Sequence, residues 1–391
     1  MTGMPNYGPG DLPRNPVGSK TTMRRAIFVP LVMLVLAVPA AADPPGLKTL
    51  ELGAAAPDFS LPGVDGKTYA LKDFDRAKVL VIIFTCNHCP TAQAYEARIA
   101  KFEAEYKDKG VAVVAISPNN PAAVRLDELG YTDVGDSFED MKLRAKDGKF
   151  AYPYLYDGET QKTAIAYGVL ATPHVYVFDQ ARKLRYVGRF DDAEVKAIKS
   201  HDTINAVDAL LAGKPVAVEK TRVFGCSTKW AEKQKDAARS LERWNAEPVN
   251  LQGLDEATVK ALAGNATKKL TLVNVWATWC GPCLDELPEL VTMNRMYRGR
   301  DFRLVTISLD EPNAKDKALE VLKKNHVAAT NYILEMKDRD AFGDILDKEW
   351  PGPVPYTLLI APGGKVLYRK TNAFDPLEVR RAIVAYLGRT Y

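Results

Sequence analysis

The sequence predicts an α/β protein built from two tandem folds of one plan, each a central mixed sheet flanked by helices. Three observations predict it. In each half an almost unbroken apolar, β-branched run ends at a C-x-x-C pair, Cys86 with Cys89 and Cys280 with Cys283. A helical periodicity follows each pair, and a strand introduced by an X-Pro step, Thr172-Pro173 or Val354-Pro355, comes later in the same half. Apolar runs of this kind are strands covered on both faces, and their alternation with helices places a sheet between helical layers. At 391 residues the chain is also too long for one ordinary domain.

Residues 1–42 form the leader. Arg24-Arg25, the apolar run 26–39 and Ala40-Ala41-Ala42 follow the basic, apolar, small-residue order of a secretory signal. Pro30 and Pro39 interrupt the run, which falls short of the roughly 20 residues of a spanning helix. The expectation is cleavage before Asp43 and a periplasmic or otherwise extracytoplasmic location, with a retained membrane anchor as the alternative. Met23 is a candidate start. The leader carries four basic residues against one acidic, so the rest of the chain is close to neutral and nothing asks for nucleic acid.

The first domain is placed at residues 50–218. An Asp65-Gly66 turn joins two short alternating runs, a hairpin signal. The buried strand 79–85 then leads into Cys86-Asn87-His88-Cys89-Pro90, after which Ala92, Tyr95, Ile99 and Phe102 recur at helical spacing. A strand at 111–117, helices near 137–147 and 161–167, a hairpin at 174–189 and a helix near 205–212 complete it. Residues 219–248 read as a helical connector centred on 227–243, with Trp230, Leu241 and Trp244 as its main apolar residues. The second domain, 249–391, repeats the order: strand 270–277, helix from Cys280 to about 298, strand 302–309, helices near 313–326 and 340–349, hairpin 356–369 and helix 376–387.

The two close pairs point to redox chemistry. Export permits disulfides to persist, and a structural framework would use wider spacings. A cysteine where a strand hands over to a helix meets unpaired N–H groups and a partial positive charge, which favour the thiolate. Cys280 is therefore the expected nucleophile, and Cys283, one helical turn on, the residue that resolves its mixed disulfide. Each first cysteine is expected to be exposed at the strand-to-helix edge. A cis bond at Val354-Pro355 or Thr172-Pro173 would leave the preceding backbone free to pair with a substrate strand. Trp279 is expected to shape the docking surface, His88 to lower a thiolate pKa, and Glu286 to tune the second pair or to serve only as a first-turn acid. His174, His201 and His326 read as ordinary residues. Cys226 is open between a resolving thiol, an interchain link and a buried thiol. A zinc site is disfavoured because the pairs lie far apart in the chain.

The segment from Val273 to Cys283, with Glu286-Leu287-Pro288, the Pro355 strand and Gly363-Gly364-Lys365, resembles the TlpA/ResA branch of thioredoxin-like proteins. Asn274 stands where thioredoxins carry a buried acid. Ala56-Pro57-Asp58-Phe59, the C-N-H-C-P site, Ala171-Thr172-Pro173, the Gly188 to Asp192 run and Gly225-Cys226-Ser227 resemble the redoxin (AhpC/TSA-type) family. The resemblances imply two thioredoxin-like folds and a thiol-disulfide oxidoreductase acting on protein disulfides without an organic cofactor. They also imply a membrane-bound electron donor and service in cytochrome c maturation or copper-site assembly. The alternatives are a thiol peroxidase recycled by the second domain and a redox-inactive binding module. Peroxidases of that family carry a threonine or serine three residues before the reactive cysteine; Ile83 and Cys86 occupy those places here. A tandem joined by a connector also predicts electron exchange between the two centres within one chain.

Overall fold

The structure is a computed structural model that describes residues 43–391, so the leader and its signal lie outside the described residues. No helix among the described residues is long and apolar enough to cross a membrane. The first unit runs β1 (Ser60–Pro62), β2 (Thr68–Ala70), β3 (Val79–Phe84), α1 (Pro90–Tyr106), β4 (Val111–Ser117), α2 (Phe138–Gly148), β5 (Tyr154–Tyr156), α3 (Lys162–Tyr167), β6 (Ala171–Thr172), β7 (His174–Phe178), β8 (Leu184–Gly188), α4 (Asp202–Leu211) and β9 (Cys226–Ser227). After α5 (Gln234–Asn245) the second runs β10 (Gln252–Leu254), α6 (Glu256–Gly264), β11 (Leu270–Trp276), α7 (Gly281–Tyr297), β12 (Phe302–Ser308), α8 (Lys315–Lys324), β13 (Thr330–Leu334), α9 (Arg339–Leu346), β14 (Tyr356–Ile360), β15 (Val366–Thr371) and α10 (Pro376–Leu387).

The sheets are ordered β5-β4-β3-β7-β8 and β10-β13-β12-β11-β14-β15. The strand leading to each cysteine pair lies inside its sheet, parallel to one neighbour and antiparallel to the other. Every residue of β3 and β11 is buried. Val79, Val81 and Ile83 pack with Tyr95, Ile99 and Phe102 of α1 on one face, while Leu80, Ile82 and Phe84 meet Tyr167, Tyr176 and Trp230 on the other. Two apolar faces on one strand explain why the sequence run is continuous rather than alternating.

The connector is not a free linker. Val187 bridges to Lys220, Thr221 Oγ1 contacts the Tyr186 hydroxyl at 2.7 Å, and β9 pairs with β6. Trp230 is fully buried in the first unit's core. Residues 219–230 thus extend the first unit past the expected boundary at 218. The reason is local: the bulky Trp230 has an apolar slot against the sheet, and its indole N–H donates to Asp43. A 3-10 turn at Ala231–Lys233 leads into α5, whose Trp244 lies under the guanidiniums of Arg295 and Arg298 from the second unit.

The two units share an interface at the far end of α7. Tyr297 donates to the Thr132 carbonyl at 3.0 Å, Arg300 to Gly130 at 2.8 Å, and Arg389 pairs with the buried Asp133 at 2.6 Å. A connector integral to the first unit carries a stability consequence. Trp230→Ala should destabilise the full chain by about 3–5 kcal/mol in urea unfolding, as for a large buried aromatic. The half-exposed Leu241→Ala should stay within about 0.5 kcal/mol. Equal effects would mean that the segment is a passive tether.

Candidate active site

In the second unit, β11 delivers the chain to Cys280, which caps α7 and whose sulfur accepts the Cys283 N–H at 3.3 Å. The two cysteines form a disulfide. Thr278, just before, is held by Asp310 through its backbone N–H at 2.9 Å and its hydroxyl at 2.7 Å. The expected exposure of Cys280 is corrected: it is only 6% exposed, while neighbouring Trp279 is 63% exposed and borders a cleft with Leu309, Arg339, Trp350 and Val354. The Val354-Pro355 bond is cis, and Val354 is half-buried at the edge of β14 with no strand paired to it among the described residues.

One turn into α7, Glu286 is buried and accepts the Phe374 N–H at 2.8 Å and the Asn274 amide at 3.4 Å. Burial, only partly offset by those two donors, pushes its carboxyl up to about 7. Asn274 thus serves as a donor to a neighbouring acid rather than as an acid itself.

The first unit places its pair differently. Cys89, not Cys86, caps the helix, and α1 opens at Pro90. Cys86 lies in the turn between β3 and α1, its sulfur 3.1 Å from the Thr172 hydroxyl. When protonated, Cys89 donates to the Thr172 carbonyl at 3.3 Å. The Thr172-Pro173 bond is cis, so the X-Pro step faces both sulfurs. The expected exposure of Cys86 is corrected: it is 2% exposed and Cys89 0%, because the loop folds under Thr172 and β9.

Cys226 completes a cluster of three thiols with them. Burial works against a charge on Cys89, but hydrogen bonds from the Cys226 and Cys86 thiols and the charge of His88 hold it well below a free cysteine. Burial and that neighbouring thiolate push Cys86 well up, and its hydrogen bond to Cys89 together with burial pushes Cys226 up as well. The set therefore carries its first negative charge on Cys89.

His88 is the source of the positive charge. Burial opposes its imidazolium, but the Asp136 carboxylate, 2.6 Å from Nδ1, raises its pKa, and Nε2 is buried without a hydrogen-bond partner among the described residues. Asp136 sits just before the Ser137 cap of α2, far from the pair in sequence, and no spacing or periodicity marks it. His174 is a structural acceptor: burial lowers its pKa to about 3, and it takes hydrogen bonds from Leu170 N–H and contacts the Tyr176 hydroxyl at 3.1 Å.

Ligand atoms of Cys86, His88 and Asp136 lie within 4.8 Å of one another, a spacing a metal ion could use. Asp136 does not fit that role. Its oxygens already accept from Asn87 N–H, His88 N–H, His88 Nδ1 and the Asn119 amide, which fills the four lone-pair sites of a carboxylate.

The structure does not bring the two pairs together. Cys280 opens α7, whose 17 residues carry the chain about 25 Å to the interface at Tyr297. The first centre instead lies near that interface, where Arg389 reaches Gln93 at 3.2 Å and the Tyr391 ring packs on Tyr131 at 5.0 Å. Burial and the nearby Cys226 and Cys89 raise Tyr391 to about 12.

The AhpC/TSA family model matches residues 52–187 and the Redoxin model residues 235–383. The chain is 26% identical over 113 residues to the thiol-disulfide oxidoreductase ResA of Oceanobacillus iheyensis, covering 29% of this chain and 54% of that one. It is 29% identical over 154 residues to the thiol:disulfide interchange protein CycY of Rhizobium leguminosarum bv. viciae, covering 38% and 73%. A solved hypothetical protein from Sinorhizobium meliloti 1021 is 34% identical, with 47% of this chain and 97% of that chain covered and a TM-score of 0.43. The chain thus spans only about half the length of the ResA relative.

Two outcomes follow from the electrostatics. In a reduced chain with Cys280 and Cys283 replaced by serine, thiolate ultraviolet absorbance should titrate well below the pH of about 8.5 typical of free cysteine. Cys89→Ser should remove that step and His88→Asn should move it upward; a step unchanged by Cys89→Ser would place the thiolate elsewhere. For Glu286, a folded pKa near 7 against the ordinary 4.5 means that the native state binds more protons than the unfolded state between those values. Its contribution to stability is full below the unfolded value and is lost as pH rises to about 7. Melting temperature should fall across that window in the wild type and fall less in Glu286→Gln.

Proposed function

Because the chain is a tandem protein of the redoxin and thioredoxin superfamily, we propose that it is an exported thiol-disulfide oxidoreductase whose second centre works on protein disulfides. The observation that carries this reading is the open Val354 edge beside a helix-capping Cys280 under an exposed tryptophan. An extended substrate strand can pair with that edge and bring its disulfide to Cys280. The ResA and CycY relatives are named for thiol-disulfide exchange, an activity of the same class.

In the reducing direction, the Cys280 thiolate attacks one substrate sulfur, and the other leaves as a thiolate and takes a proton. Cys283 then attacks Cys280, releasing the second substrate thiol and forming the Cys280–Cys283 disulfide. Two electrons have passed from the pair to the substrate. A membrane-bound dithiol donor outside the cytoplasm would restore the reduced pair, consistent with the secretory pattern of residues 24–42. Trp279 and Val354 form the docking surface, and Glu286 sets the ease of ionising the pair, since its negative charge opposes a nearby thiolate.

A thiol peroxidase in the first unit is a second reading, favoured by the AhpC/TSA match and the Cys89 thiolate. Against it, Cys89 is sealed from solvent and the hydroxyl residue expected three positions earlier is Cys86. Oxidation of the reduced first centre by hydrogen peroxide should therefore be no faster than that of free cysteine; rates far above it would favour the peroxidase.

Cys280→Ser should abolish reduction of a protein disulfide such as insulin by the full chain. Cys283→Ser should stall after one attack and leave a mixed disulfide on Cys280. Full multiple-turnover reduction by the Cys280 variant would sink the reading.

A further inference from the structure

The docking edge that stands open in the second unit is occupied in the first, and the occupant is the chain itself. Thr172, the residue before cis Pro173, pairs antiparallel with Cys226. This is the place that an incoming substrate strand would take if the first unit docked substrates as the second can. The approach is built for closeness. Gly225 has φ of +142° and its added Cβ would lie 2.1 Å from the Thr172 carbonyl oxygen, so no other residue brings the backbone there without a shift. The strand presents a cysteine at the pair: Cys226 packs against Cys86 and Cys89. Cys86 and Cys89 are sealed from solvent, whereas Cys226 is half-buried and reaches it.

We infer that Cys226 is a third redox cysteine of the first centre, a tethered substrate thiol that forms a disulfide with Cys89 and passes it inward to Cys86. The inference rests on the first pair being redox-active. The oxidant is an incoming disulfide. Cys226 gives its proton to the neighbouring Cys89 thiolate and attacks one sulfur of that disulfide; the other sulfur leaves and is protonated by water. Cys89 then attacks the Cys226 sulfur, and its proton goes with the second departing thiol. This forms Cys89–Cys226 at the surface side of the site. Cys86 next attacks Cys89, forming Cys86–Cys89, and Cys226 leaves as a thiolate that takes the Cys86 proton. Two electrons reach the incoming disulfide in the first two steps, and the last is an exchange with no net change. Buried thiols that no protein disulfide can reach are thereby connected to one that can.

The test uses the full chain with Cys280→Ser and Cys283→Ser, so that only the first centre reacts. Adding Cys86→Ser prevents the inward transfer. On treatment with oxidised glutathione, this chain should lose two titratable thiols and give a Cys89–Cys226 disulfide in peptide mass mapping, at a rate independent of protein concentration. Recovery of Cys226 fully alkylated would overturn the inference. In the chain that keeps Cys86, oxidised glutathione should give Cys86–Cys89, and Cys226→Ala should greatly slow its formation, with the fold monitored by circular dichroism. If Cys86–Cys89 forms equally fast without Cys226, the inference fails and the redox reading of the first pair stands. If no disulfide forms in either chain, the redox reading of that pair fails and the inference with it.

Discussion

The structure depends on the delivery of a sulfur to the positive end of a long helix by a strand buried on both faces. A helix N-terminus favours an anion only within its first turn, so the sulfur must be placed to within a residue. Both units achieve this with a fully buried strand and a 17-residue helix. They differ in the frame. The capping residue is the first cysteine of the pair in the second unit and the second cysteine in the first. The partner sulfur consequently falls inside the helix at Cys283 but in the preceding turn at Cys86, where it meets Thr172 instead of the helix interior.

That three-residue offset was not legible in the C-x-x-C spacing, which is the same in both halves. Pro90 directly follows the capping Cys89 as the first helical residue of α1, whereas in α7 Gly281 takes that place and Pro282 comes second, one residue before Cys283. The central strands were legible because a strand with two apolar faces has a continuous pattern that little else imitates, and β4 and α10 begin and end where their periodicity does. The strands β5, β10 and β9 were not. Each has three residues or fewer and is defined by its partner rather than by its own pattern. The charged connector concealed its role for a related reason: Trp230 is its one fully buried aromatic, and a single aromatic in a polar stretch carries no period. Asp136 left no trace because its partner His88 is a tertiary neighbour, not a sequence one.

The same cis X-Pro step serves opposite ends in the two halves. At Val354 the edge beside the pair is open, and the cleft there is walled by Trp279 and Trp350. At Thr172 the edge is filled by β9, and the buried thiols beneath it share one negative charge. Duplication of a fold has therefore not duplicated a site. Covering the first edge removes access from solvent but fixes a third thiol against the other two at little conformational cost, since the strand is already ordered.

The groups that poise the two centres differ in the sign of their charge: an imidazolium held by Asp136 in the first and a carboxyl that ionises near pH 7 in the second. His88, held charged by Asp136, places a fixed positive charge beside Cys89, and the pair is buried so that solvent screens it little. Glu286 is neutral at low pH and acquires its charge near pH 7. Once ionised it stands one helical turn from Cys283 and opposes the thiolate that the helix terminus favours. A rise in pH that frees protons from ordinary thiols thus meets a growing like charge in the second centre. One helix terminus is opposed by a titrating acid and the other is reinforced by an imidazolium that Asp136 holds charged, so the two pairs need not share a reactivity even though strand, helix and cis-proline are common to both.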